Sequence, residues 1–314
     1  MLENTPTTFK SAWFFISRLF ILGGMVLFFF SLFSFLGIFL SQWIFGYDFI
    51  GSRELLGSYS ENPGVLNALK LMQVVISIGA MVIPALYFPK ALEQQPADFL
   101  KTKKSFSPFF GLMAVLVIFL SVPAVSWLFE INQQLELPAS LQDLERKFRA
   151  AQQDTEALAK AFIASDTIGG LLVNLVVVAL VPAIAEELLF RGALQQFIRF
   201  CFNNKHSAII SSALIFSAFH GEVYSFLPRF GLGIVLGYLF TYSGSLWPAV
   251  IAHFTNNALS LLATHFHWSE SGVVFLQDDY SFPFYIIALS VLLTGGVVFL
   301  MFRQQQKKIF YNGE

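Results

Sequence analysis

The chain has 314 residues, 56% hydrophobic and only 12% charged, where a soluble domain carries about 25% charged residues. The apolar excess falls in long unbroken runs, which excludes a soluble core and leaves membrane-crossing helices, each needing ~20 apolar residues for a ~30 Å hydrocarbon layer. A net charge of −1 excludes a polyanion-binding surface, so no nucleic-acid partner is expected, and the single cysteine, Cys201, excludes a disulfide framework and reads as a packing residue.

Taken in chain order, the apolar runs predict an all-α polytopic bundle of about eight transmembrane helices: 20–44, 66–88, 109–129, 168–190, 207–222, 230–246, 248–265 and 281–302. The first run continues through residue 45, too long for a cleaved signal, so it is taken as a membrane helix. Between the third and fourth spans lies a polar segment, 130–166. Pro138 and Ser140 give it a helix start, and Leu141, Leu144, Phe148, Ala151 and Leu158 give it a partial apolar face. It is expected as an amphipathic helix at the interface or over the bundle.

The Lys/Arg bias of the loops sets the orientation. One side holds Lys10, Arg18, Lys90, Lys101, Lys103, Lys104, Arg191, Arg199, Lys205, Arg303, Lys307 and Lys308. The other holds Arg53, Arg146, Lys147, Arg149, Lys160 and Arg229, so both termini are expected in the cytoplasm, in a bacterial cytoplasmic membrane. The 266–280 loop, with Glu270, Asp278 and Asp279 and no basic residue, agrees with an outside placement. No internal repeat is visible. The chain reads as one integrated membrane domain: residues 1–166 are N-terminal helices plus the polar segment, 167–265 carry the chemistry, and 266–314 supply a last helix and a basic tail.

The chemistry lies in three places. The fourth span ends in VPAIAEELLFRG, where two adjacent glutamates in an apolar helix are costly, at least ~2.5 kcal/mol for a buried charge. Glu187 and Arg191 stand at i,i+4 with the acid N-terminal, which favours an ion pair near the membrane boundary. Glu186 points about 100° away and has no such local partner, which leaves it available as a proton acceptor. Pro182 removes a backbone hydrogen bond to Val178 and is expected to kink the helix. In SSALIFSAFHGE, Phe216 and His220 are at i,i+4, and Glu222 is expected to face water. In WPAVIAHFTNNALSLL, His253 and Asn257 share a helix face one turn apart. Asn256, on a neighbouring face, is expected to hydrogen-bond another helix. His206, His265 and His267 read as boundary residues rather than ligands.

Glu-Glu-x-x-x-Arg, Phe-x-x-x-His and His-x-x-x-Asn, in this order and each in a membrane helix, resemble the motifs of the CAAX-protease and bacteriocin-processing (CPBP) family, which includes the type II CAAX prenyl endopeptidases. The resemblance covers about residues 168–265. It implies an intramembrane endopeptidase acting on a membrane-associated peptide or protein substrate, prenylated or otherwise hydrophobic, within the lipid bilayer. By carry-over Glu186 is the general base on water and His220 assists it. His253 and Asn257 stabilise the oxyanion, while Glu187, Arg191 and Phe216 support the site. The family is commonly classed with metallopeptidases, and Glu186, His220 and His253 form a donor set for Zn2+. No His-Glu-x-x-His helix is present, however, and a metal-free, glutamate-activated water is also adequate. The rival readings are a non-catalytic membrane scaffold or bacteriocin-immunity protein, and a transporter. A transporter would show matching broken segments in two halves, and the polar interruptions here are confined to the later helices.

Overall fold

The computed structural model describes residues 11–51, 57–59, 62–268 and 281–312. Lys10, Arg53, Glu270, Asp278 and Asp279 of the orientation argument lie outside the described residues, as does most of the 266–280 loop. Among the described residues the fold is all-helical.

Helix α1 spans Ala12–Phe45, is capped by the Ser11 side chain, which accepts from the Phe14 N–H, and is closed by left-handed Gly46. Helix α2 spans Pro63–Leu92, opened by an Asn62 cap and closed at left-handed Glu93. Helix α3 spans Pro108–Gln133 and contains Pro123. Beside that proline the Ser290 hydroxyl enters the helix ladder, donating to Leu120 O at 2.5 Å and accepting from Ala124 N at 3.2 Å. The polar helix α4 spans Gln142–Ile163, and α5 spans Ile168–Phe202 after a Thr167 cap. Helices α6 (Lys205–Phe219), α7 (Phe226–Ser243), α8 (Trp247–His265) and α9 (Phe284–Asn312) complete the chain.

All eight apolar segments anticipated from sequence coincide with helix. Six of the described helical stretches are long and apolar enough to cross a membrane, namely α1, α2, α3, α5, Val223–Ser243 and Phe284–Lys307. Helix α6 is apolar but shorter, and the polar side chains of α8 keep it out of that set. Phe20, Phe28, Phe35, Phe39 and Trp43 on α1 and Leu292 and Phe299 on α9 stay exposed. Such a surface is stable against lipid tails, and with these helices it identifies an integral membrane protein.

Helix α5 runs through the bundle beside α2, α6 and α8, while α3 packs on α7, α8 and α9. The main core gathers Phe88, Phe190, Phe197, Phe216, Phe240 and Leu246 with Cys201 buried among them, as a packing cysteine should be. Helices α6 and α7 approach closely at Gly233, where a Cβ would stand 3.0 Å from Ala213 Cβ.

Along α4 the bundle covers polar as well as apolar residues: Gln152 and Phe162 are buried and Phe148 and Leu158 half-buried, while Leu144 and Ala151 are exposed. The reason is the end of α3, whose last carbonyls have no partner within their own helix. Arg149 donates to Leu135 O at 2.9 Å and Gln133 O at 3.4 Å, and Glu145 accepts from Leu137 N at 2.8 Å. Polar capping of a neighbouring helix, rather than apolar burial, sets how α4 lies. Gln133 and Arg149 thereby sit next to Tyr224, whose ring lies 4.1 Å under the guanidinium.

Candidate active site

Two π-helical stretches, Leu175–Leu180 and Leu188–Gln195, flank the seven α-helical residues Val181–Glu187 that carry both glutamates. Pro182 stands at the start of that short stretch. Its missing N–H is absorbed by widening of the helix, a distortion frequent at functional sites. The expected disturbance of the helix beside Glu186 thus takes the form of helical widening.

Glu187 and Arg191 are paired at 2.9 Å, with their side chains 0% and 1% exposed. The pair is therefore buried inside the bundle. The same Glu187 Oε1 lies 2.9 Å from His253 Nδ1 on α8. A carboxylate bound to a guanidinium can only accept, so His253 Nδ1 carries the proton. Arg191 also donates from Nη2 to Gly233 O at 3.3 Å and stacks 4.5 Å over the Phe216 ring. One turn on, Gln195 donates to Gly237 O at 3.2 Å. Glycine at 233 and 237 lets α7 offer bare carbonyls to α5.

Glu186 faces the other way and meets two imidazoles from two other helices. Its Oε2 lies 3.7 Å from His253 Nε2 and 3.9 Å from His220 Nε2. His220 closes α6 at its last turn, one residue past the helix, and its Nδ1 lies 2.8 Å from Phe216 O. A carbonyl only accepts, so this Nδ1 is protonated as well. With both Nδ1 protons committed, it is Nε2 of each ring that faces Glu186, as a lone pair when the ring is neutral. Phe216 packs edge-on against both rings, with centroids 4.9 Å from His220 and 6.1 Å from His253. His253 is walled in at 5% side-chain exposure, while Glu186 at 13% and His220 at 25% stand at the mouth.

Asn257 lies one turn beyond His253 and makes no hydrogen bond to Glu186, His220 or His253; its Oδ1 accepts from Asn256 Nδ2 at 3.3 Å. Asn256 therefore bonds within its own helix, not across to another as expected. Glu222 also departs from expectation. Rather than facing water, it is mostly buried and paired with Arg229 at 2.7 Å. Of the remaining histidines, His206 contacts Tyr238 OH at 2.8 Å, His265 donates from Nδ1 to Ser165 O at 2.6 Å, and His267 takes a left-handed backbone turn.

Two imidazoles anchored through Nδ1 beside a carboxylate are donors of the type that zinc uses. Among the described residues, however, no three His, Cys, Asp or Glu side chains are grouped so as to hold a metal ion.

Fold and site together define an all-helical integral membrane protein with a carboxylate–imidazole centre supplied by three helices. Residues 168–259 match the family model described as type II CAAX prenyl endopeptidase Rce1-like, in agreement with the resemblance of the three motifs to the CAAX-protease and bacteriocin-processing family. The matched stretch contains Glu186, Glu187, Arg191, Phe216, His220, His253 and Asn257. No curated protein and no solved structure gives a significant match.

Proposed function

We propose that the protein is an intramembrane endopeptidase that hydrolyses a peptide bond of a membrane-associated, prenylated or otherwise hydrophobic substrate by glutamate-activated water. One observation carries this reading: the carboxylate of Glu186 has Nε2 of His253 at 3.7 Å and Nε2 of His220 at 3.9 Å. With both rings neutral, Glu186 and the two Nε2 atoms near it have no proton donor among themselves. A water bonded at about 2.8 Å to Glu186 Oε2 and to one Nε2 would sit beside the line joining them, with both its protons pulled towards bases. That is a general-base arrangement, with Glu186 taking the proton and His220 assisting.

Glu187 has the role of an orienting carboxylate. It fixes the tautomer of His253, so that Nε2 donates only once the ring is doubly protonated. When Glu186 passes the proton taken from the water to His253 Nε2, the resulting imidazolium, with negative Glu187 against Nδ1, is a donor for the tetrahedral oxyanion. The Asn257 amide is its partner one turn away, and the proton on Nε2 then leaves on the departing amine. The Asn256 contact to Oδ1 supports this by leaving the Asn257 NH2 group free. Charge arithmetic agrees: two carboxylates face one guanidinium, and one extra proton on the cluster brings it to neutrality.

The loop bias supports both termini on the cytoplasmic side.

The test is quantitative proteomics of membrane fractions from cells carrying wild type or Glu186→Ala. The peptidase reading expects an uncut membrane protein to accumulate with the variant and its shortened form to disappear. Identical proteomes would favour a scaffold or immunity role. Exhaustive chelation of the purified enzyme separates the two hydrolytic routes, since water acidified by a metal loses its nucleophile when the ion is removed.

A further inference from the structure

At the far end of α6 from His220, a cavity of about 480 Å³ opens among α6, α7 and α9, lined by Lys205, His206, Tyr238, Tyr242 and, on α9, Gly295, Val298, Phe299 and Phe302. Its size is that of a ligand pocket, typically ~300–1,000 Å³. Its walls divide by chemistry. The α9 wall is apolar and continues into exposed Phe299, Leu300 and Leu292, the surface that meets lipid. The opposite wall is cationic and aromatic. Lys205 Nζ stands 5.1 Å from the Tyr242 ring centroid and 5.2 Å from that of Phe302. Among the described residues no carboxylate pairs with Lys205, and the exposed Arg303 and Lys307 follow Phe299 one and two turns along α9.

The His206–Tyr238 contact adds a donor whichever way its proton lies. If Tyr238 donates to Nδ1, the His206 Nε2–H is left over; if Nδ1–H donates, the tyrosine O–H is left over. The cavity thus offers an uncompensated ammonium and one spare N–H or O–H beside an apolar, lipid-facing wall.

We propose that this cavity is a binding site for an anionic membrane phospholipid. The headgroup phosphate pairs with Lys205 and takes the spare donor of the His206–Tyr238 pair. The first methylenes of an acyl chain lie along Gly295, Val298 and Phe299. A zwitterionic lipid carries its own ammonium and gains less from Lys205, so the site discriminates by headgroup charge. The cavity is one full length of α6 from Glu186, and its occupation is independent of the peptidase reading.

The experiment is native mass spectrometry of the purified full-length protein, titrated separately with phosphatidylglycerol, phosphatidylcholine and inorganic phosphate. One phosphatidylglycerol should be retained about tenfold more tightly than phosphatidylcholine, the order expected of one charge-assisted contact. Lys205→Ala should bring the two lipids to parity. Gly295→Phe should remove the one-lipid species, because Gly295 lines the cavity and a Cβ there meets no atom within 4 Å, so the added side chain has open space to enter. If Lys205→Ala fails to fold, Gly295→Phe decides alone. Equal retention of both lipids by wild type, unchanged retention in Gly295→Phe, or inorganic phosphate displacing phosphatidylglycerol from the site would each overturn the proposal.

Discussion

His253 Nδ1 donates to Glu187 Oε1 across 2.9 Å, and this one hydrogen bond between α8 and α5 turns the other face of the imidazole towards Glu186. The adjacent glutamates therefore divide the work. Glu187 is sealed between Arg191 and His253, and Glu186 stands at the mouth of the site.

Glu187 should tolerate no neutral replacement, for two separable reasons. Glu187→Ala strands the buried Arg191 guanidinium and should cost about 3–5 kcal/mol, seen as loss of folded protein in thermal melts. Glu187→Gln preserves shape but lets His253 adopt the other tautomer. Its folded fraction should lose about 10²–10⁴ in turnover, by analogy with amide replacement in a carboxylate–histidine pair. A fully active Glu187→Gln enzyme would show that the tautomer of His253 does not matter.

Asn257 and Asn256 should separate by kinetics. Truncating an oxyanion donor acts in the transition state, so Asn257→Ala should keep substrate affinity and lose about 10²–10³ in kcat. Asn256→Ala removes only the contact that orients the neighbouring amide and should lose much less. Comparable kcat losses in the two variants, or an Asn257→Ala defect confined to binding, would remove this face from the reaction centre.

Lys101, in the loop before α3, should make the fold more stable in alkali. Burial first, then the neighbouring Arg199 and Lys104 charges, lower its pKa from 10.5 to about 8. The unfolded chain then binds more protons between pH 8 and 10.5, so stability rises across that window and the penalty is fully present at neutral pH. Lys101→Met should raise stability at pH 7 by on the order of 1–3 kcal/mol and flatten the rise, measured as Tm in detergent from pH 7 to 10. An unchanged Tm at pH 7 would mean that the ammonium is not strained.

The helices were legible because lipid demands long apolar runs, and the three motifs were legible because their residues are short-range and chemically costly in an apolar setting. What could not be read was long-range. Nothing local to Glu187 reveals that His253, 66 positions away, shares its oxygen. The Gly233-Ile-Val-Leu-Gly237 stretch did carry a signal, a small-xxx-small spacing that marks close helix approach. It could have placed α7 against its neighbours, although its use as a pair of bare carbonyls for Arg191 and Gln195 depends on the fold. Hydrophobic periodicity does not register the unpaired carbonyls of α3, which Arg149 satisfies, so the polar part of the covered face of α4 is not legible in the sequence. Glu222 was placed in water because Arg229, seven residues on, lies beyond a turn that the sequence did not fix.

The central claim is that Glu186 activates the attacking water, and the most direct measurement is cleavage by purified enzyme reconstituted in lipid vesicles, comparing wild type with Glu186→Gln. The substitution keeps volume and hydrogen-bonding capacity but removes the base. Both proteins should show the same circular dichroism and Tm, with turnover of Glu186→Gln lower by about 10²–10⁴, the usual contribution of a positioned general base. Turnover within a factor of about two of wild type in well-folded Glu186→Gln, well inside the tenfold that 1.36 kcal/mol of barrier represents, would contradict the account.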